Sequence, residues 1–135
     1  MNPPTRILIS LGSNYNPIEN IEFAKKKLKA IFGETTKFTD NMWTTPIDIE
    51  SNRFINCICM AETRHKLLQL EMAFKRLEKQ CNRSKKNDSM KRIPLDIDVL
   101  LYGDEKRHKK DWDRDYIKVL LKQIDDEEFI IDPTL

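Results

Sequence analysis

Asp96 and Asp98 are carboxylates at i and i+2 in a stretch, PLDIDVLLYGD (residues 94–104), otherwise suited to burial. Leu, Ile, Val and Tyr dominate residues 95–102 and Gly103 ends the run, so the segment reads as a strand. Alternation then sends Leu95, Ile97, Val99 and Leu101 to one face, and Asp96, Asp98, Leu100 and Tyr102 to the other. Asp is disfavoured in strands. This spacing sets two like charges roughly 7 Å apart, where each opposes the other's ionisation. A divalent cation between them removes that conflict. Mg2+ takes one or two carboxylates, keeps several waters and completes its shell with phosphate oxygens. The alternative is an exposed strand face carrying two solvated acids.

The segment just upstream, NRSKKNDSMKRIP (residues 82–94), favours the cation. It carries Arg83, Lys85, Lys86, Lys91 and Arg92 against the single acid Asp88. It has no apolar periodicity and is expected to be a mobile loop. A solvated charge run is the ordinary fate of such a segment. A cationic loop feeding directly into paired carboxylates, however, matches what a polyphosphate–Mg2+ ligand needs, with bases for the phosphates and acids for the metal. No GxxxxGK[ST] cradle occurs in the chain, so side chains would have to hold the phosphates.

The elements that must position these groups fit in 135 residues, expected to form one domain spanning residues 1–135. A formal charge of +2 with 34% charged residues describes a mixed, soluble surface and gives no argument for nucleic acid. No apolar run of membrane-spanning length or signal-peptide core is present, so a cytoplasmic protein without a membrane partner is expected. Cys57, Cys59 and Cys81 have neither zinc-knuckle nor CxxC spacing and read as buried free thiols. Two histidines, His65 and His108, exclude a His-rich metal site.

Residues 6–11 are expected to form a strand ending in a Gly12-Ser13-Asn14 turn. A helix should follow, with Asn16 as N-cap, Pro17 at N1, Glu19 completing a capping box, an apolar stripe of Ile21, Ala24, Leu28 and Ile31, and a stop at Gly33. Residues 35–43 make a less regular second strand, and residues 44–53 a long connection of the kind that often carries function. In the third strand, residues 54–61, Phe54, Asn56, Ile58 and Met60 share one face, opposite Ile55, Cys57, Cys59 and Ala61. An amide in so apolar a strand must find partners. Asn56 either bonds a neighbouring backbone or reads the edge of a heterocycle, with Phe54 stacked alongside.

Thr63 is expected to cap a second helix over residues 64–81, with Leu67, Leu70, Phe74 and Leu77 inward. Glu78 lies near its end, where the helix dipole disfavours an acid, and a polar contact would explain it. A third helix over residues 111–124 would use Trp112, Tyr116, Leu120 and Ile124, and residues 127–135 would form a tail able to add an edge strand. The order predicts an α+β fold, a ferredoxin-like βαββαβ sandwich with an extra C-terminal helix.

Taken together, LGSN at residues 11–14, FIN at residues 54–56 and PLDIDVLLYGD resemble the 6-hydroxymethyl-7,8-dihydropterin pyrophosphokinases over residues 6–121. Members of this family move a pyrophosphoryl group from ATP to a pterin hydroxymethyl oxygen in folate biosynthesis and release AMP. The resemblance implies that Asp96 and Asp98 hold two Mg2+ ions, with Asp96 also beside the substrate. Asn56 would recognise the pterin between Phe54 and Tyr116, and Thr45 would meet its edge. Arg83 and Arg92 would serve catalysis with the two acids. Arg83, Lys86, Ile97, His108 and Arg114 would contact ATP, the last two at the family's six-residue His-to-Arg spacing. Glu78 matches an acid the family keeps at the end of its second helix. The chain departs from the family's P-R-x-L-D-x-D by carrying Ile93 three residues before Asp96, with Arg92 one position earlier, and it lacks the usual Trp-Gly.

The expected partners are therefore ATP and a small pterin, with no nucleic acid, and a monomer. The mechanism would be in-line attack on the β-phosphorus, with residues 82–94 closing over ATP. One rival is a relative that binds pterin or nucleotide with lost or altered catalysis. Another is a ferredoxin-like RNA-binding module, which lacks the RNP-type aromatic signature and would set acids against RNA.

Overall fold

The computed structural model describes residues 3–46 and 51–124. It is a mixed α+β fold whose antiparallel sheet separates two helical layers. The strands are β1 (Thr5–Ser13), β2 (Lys37–Phe38), β3 (Met42–Thr44), β4 (Phe54–Thr63), β5 (Asp96–Tyr102) and β6 (Glu105–Lys106). Their order is β2-β4-β1-β5-β6, with β3 also paired to β4. The helices are α1 (Pro17–Phe32), α2 (Leu67–Gln80), the short α3 (Lys85–Ser89) and α4 (Asp115–Leu121), the last preceded by a 3-10 turn at Asp111–Asp113.

Alternation along the central strands divides the core. Ile7, Ile9, Leu11, Ile55, Cys57, Cys59, Ala61, Ile97 and Val99 pack against Ile21, Ala24 and Leu28 of α1 and Leu70, Phe74 and Leu77 of α2. Leu8, Ile58, Met60 and Leu100 pack on the opposite face against Ile117, Leu120 and Ile124. The two faces of β4 are those its sequence pattern predicts. The three cysteines are buried free thiols, and burial raises the pKa of Cys57 to about 11 and that of Cys59 further still.

β5 keeps its predicted alternation only as far as Leu100. Ile9 pairs with Val99 but Leu8 pairs with Leu101, so Leu100 is the extra residue of a β-bulge. Past it the faces exchange. Leu101 joins the α4-side cluster, and Tyr102 packs on the α1/α2 side, donating its hydroxyl to the His65 carbonyl at 2.8 Å.

Several local expectations give way to tertiary pairing. β1 continues through Gly12 and Ser13, because Asn56 and Ile55 extend the ladder beside them, so the GSN run is no turn. Asn16 does precede α1, but it is left-handed (φ 45°) and makes no side-chain cap, and Asn20 bonds the Tyr15 carbonyl instead. The expected second strand is split at Thr39. There the hydroxyl accepts the Ile58 N–H at 2.8 Å, while the Thr39 N–H reaches the Ile58 carbonyl.

Thr63 ends β4 opposite Thr5, and α2 begins at Leu67, where Gln69 accepts the Lys66 N–H at 2.9 Å. The basic segment contains α3, whose start is fixed by Ser84 accepting the Asn87 N–H at 3.1 Å; capping, with no apolar stripe, makes this helix. The expected third helix breaks at Arg114, whose backbone is extended (φ −72°, ψ 138°). A hairpin turn at Gly103 (φ 61°) adds β6. Residues 47–50 of the long connection and the 127–135 tail lie outside the described residues. No described helix is long and apolar enough to cross a membrane.

Candidate functional site

The α4 face of the sheet is covered only in part, and the remainder is a cavity of about 280 Å3. Its floor is set by register. Gly12 pairs with Asn56 on one side and Asp96 on the other, and Ser10 likewise sits between Ile58 and Asp98. Gly12 matters for its missing side chain: a Cβ there would stand 3.0 Å from the Asn56 carboxamide oxygen. Thr44, Thr45, Phe54, Asp111, Arg114 and Tyr116 complete most of the wall.

Asn56 is 7% exposed and donates its amide to the Thr44 hydroxyl at 2.6 Å. The partner its polarity demanded is a side chain on the adjacent strand, and the residue still lines the cavity beside Phe54. Across the cavity Tyr116, on the first turn of α4, is half-buried, and burial raises its pKa. This end offers two aromatic rings and an amide.

The other end is acidic. Burial, the neighbouring Asp96 charge and hydrogen bond, and the more distant Glu78 and Asp111 push the Asp98 carboxyl up to about 8. The two acids share a face and open on the same cavity, as the alternation required. The Asp98 carboxylate is 3.7 Å from His108 Nε2, and the donor atoms of Asp98, His108 and Asp111 all lie within 4.8 Å of one another. Two carboxylates lining one cavity, with side chains 45% and 28% exposed, fit a hard divalent cation that retains waters and phosphate oxygens.

Cationic groups flank the pair unequally. Arg83 donates to the Leu95 carbonyl at 3.0 Å and approaches Asp96 at 3.5 Å, while its Nε is held by Asp88 at 2.7 Å. Glu78 accepts the Ile97 N–H at 2.9 Å, which is the polar contact its position called for; burial raises its pKa and this bond opposes the rise. Ile97 itself points into the α1/α2 core at 5% exposure. Lys86 is exposed on α3, and the Arg92 guanidinium lies 5.4 Å from the Tyr15 ring centroid; neither lines the cavity. Thus Thr45, Phe54, Asn56, Asp96, Asp98, Arg114 and Tyr116 converge on one cavity, with Arg83 and His108 at its acidic end. Lys86, Arg92 and the Ile97 side chain stand apart.

Three contributors escaped the sequence pattern. Gly12 read as a turn residue, and residue 111 as the start of the expected third helix. Asn14 fastens the basic segment to the end of β1, donating to the Lys91 carbonyl at 2.8 Å and accepting the Ile93 N–H at 2.6 Å. Its own N–H reaches the Ile93 carbonyl at 3.0 Å. A buried Asn just past a strand was the available signal.

Comparison with known proteins agrees with the resemblance. The model of the family described as 7,8-dihydro-6-hydroxymethylpterin-pyrophosphokinase matches residues 8–135. The folate synthesis bifunctional protein of Arabidopsis thaliana is 27% identical over 121 residues, covering 82% of this chain and 25% of the relative. The chain therefore spans about a quarter of the length of the curated relative it matches. With almost its whole length matched by the family model, the chain belongs to the 7,8-dihydro-6-hydroxymethylpterin-pyrophosphokinase family.

Proposed function

We propose that this protein transfers the pyrophosphoryl group of ATP to the hydroxymethyl oxygen of 6-hydroxymethyl-7,8-dihydropterin, releasing AMP. The observation that carries the reading is one cavity with a carboxylate pair at one end and an amide between aromatic rings at the other, in a chain of this family. The strand order β2-β4-β1-β5 supports the finer assignment of the sheet as ferredoxin-like.

In this reading the pterin lies between Phe54 and Tyr116, with its heterocycle edge on Asn56 and Thr45. Asn56 is held ready by Thr44, so little ordering accompanies binding. Asp96 and Asp98 would hold two Mg2+ ions, which when bound neutralise phosphate charge and polarise the phosphoryl oxygens. Arg83, His108 and Arg114 surround the triphosphate, with Arg83 poised between Asp88 and Asp96. The hydroxymethyl oxygen attacks the β-phosphorus in line and gives up its proton to solvent, the bond from the β-phosphorus to the oxygen it shares with the α-phosphate breaks, and that oxygen leaves with AMP. Rate comes from holding the two substrates in line and from fixed positive charge around the phosphates. Lys86 and Arg92 reach the phosphates when residues 82–94 close over them, a movement anchored at Asn14.

An AMP-release assay with ATP, Mg2+ and hydroxymethyl-dihydropterin tests the reading. Turnover should be present in the wild type and absent in a folded Asp96→Ala variant; equal AMP release by both would overturn it. A binding-only relative is the second reading. It is favoured by Ile93, tied through its backbone to Asn14, and by Arg92, stacked on Tyr15 away from the cavity wall. Tight pterin and nucleotide binding without AMP would select it.

A further inference from the structure

The segment between β6 and α4 contains an acid to which no role has been given. Asp111 opens the 3-10 turn and lines the cavity, with its side chain 26% exposed. Its carboxylate accepts Arg114 Nε at 3.0 Å, and its carbonyl accepts the Arg114 backbone N–H, also at 3.0 Å. Two bonds between the same two residues fix the guanidinium where the chain passes from turn to helix. Arg114 needs such a post, because its backbone is extended and its side chain 40% exposed, free otherwise to sample many rotamers.

The choice of atom matters. A guanidinium recognises phosphate through paired N–H groups in a planar fork. With Nε committed to Asp111, both Nη groups remain, and among the described residues neither has a hydrogen-bond partner. On its other side Asp111 is within 4.8 Å of the Asp98 and His108 donor atoms. A lone carboxylate so placed would repel a polyphosphate, whereas one spent on Arg114 does not.

We propose that Asp111 is a positioning residue that presents the Nη groups of Arg114 to the phosphate chain of a nucleoside triphosphate. The identity of that ligand rests on the pyrophosphokinase reading, but the geometry requires only a polyphosphate anion.

A double-mutant cycle tests it, using wild type, Asp111→Ala, Arg114→Ala and the double variant. Calorimetry would follow tripolyphosphate binding with Mg2+, beside KM and kcat for ATP. Asp111→Ala should weaken binding on the order of tenfold in the presence of Arg114 and less than about twofold in its absence, with the loss in KM more than in kcat. Asp111→Asn, which keeps an acceptor oxygen, should recover most of the affinity. Asp111→Ser, polar but too short, replaces the alanine variant if that one unfolds. Equal losses with and without Arg114, no loss at all, or no tripolyphosphate binding by the wild type would each overturn the proposal. A wild type that shows the cycle yet releases no AMP would remove the pyrophosphokinase reading and leave Asp111 in its role.

Discussion

The two faces of the sheet are built from the same strands and do opposite things. Toward α1 and α2, Ile9, Leu11, Ile55, Cys57, Ile97 and Val99 are at most 5% exposed and pack in one apolar cluster with the two long helices. Toward α4, Leu8, Ile58, Met60 and Leu100 pack with the apolar residues of a seven-residue helix, while the neighbouring Ser10, Gly12, Asn56, Asp96 and Asp98 line the cavity. Stability is thus concentrated on one face, and polar groups that are costly to bury are placed on the other, where a ligand can satisfy them. The closed face keeps the strands in register, and that register sets the floor of the open face.

Substitutions on the two faces should therefore separate activity from stability. The largest effect expected is Asp96→Ala, a loss of AMP release on the order of a thousandfold or more, with thermal stability nearly held because the Asp96 side chain is 45% exposed and lies outside both apolar clusters. Phe74→Ala on the closed face, where Phe74 is 2% exposed, should cost about 3 to 5 kcal/mol in denaturant unfolding and leave KM unchanged in the folded fraction. Parallel loss of stability in both variants would erase the contrast.

A pH effect should come next. Asp98 keeps its proton to about pH 8 in the metal-free fold, against 3.8 ordinarily. A raised carboxyl pKa stabilises the fold fully below the unfolded value, and that contribution is lost as pH rises from about 4 to about 8. In chelator, the Tm of the wild type should fall across this window, and Asp98→Asn should flatten the slope. Mg2+ affinity should rise over the same range, since the cation displaces that proton. The smallest effect expected is Gly12→Ala. Its methyl would crowd the Asn56 oxygen at 3.0 Å, so pterin KM should rise several-fold, with about 1 kcal/mol of stability lost.

The carboxylate pair, the Asn56–Phe54 face and the inward positions of α1 and α2 were legible because periodicity and burial chemistry decide them locally. Asp and Asn in apolar strands are expensive, and that expense is visible in a bare sequence. What escaped depends on partners far along the chain. Gly12 becomes part of a strand only because Asn56 and Asp96 flank it, and Thr39 interrupts a strand only because its hydroxyl finds Ile58. Likewise, α3 has no apolar stripe to betray it and is held by Ser84 and by contacts from Asn14 to the segment that follows. The resemblance named residues around the cavity, but it did not foresee that Arg92 would lie on Tyr15 or that the Ile97 side chain would be enclosed.

The extra residue at Leu100 divides β5 into two stretches of opposite phase. Upstream, pairing with β1 orients the acids; downstream, Tyr102 is anchored to the far helical layer through His65. Removing Leu100 would restore simple alternation with Leu101 still toward α4, Tyr102 still toward α1 and α2, and Asp96 and Asp98 where they are, because the pairing with β1 on either side of the extra residue is already set. The interruption thus works as a phase joint, absorbing one residue without turning either half of the strand.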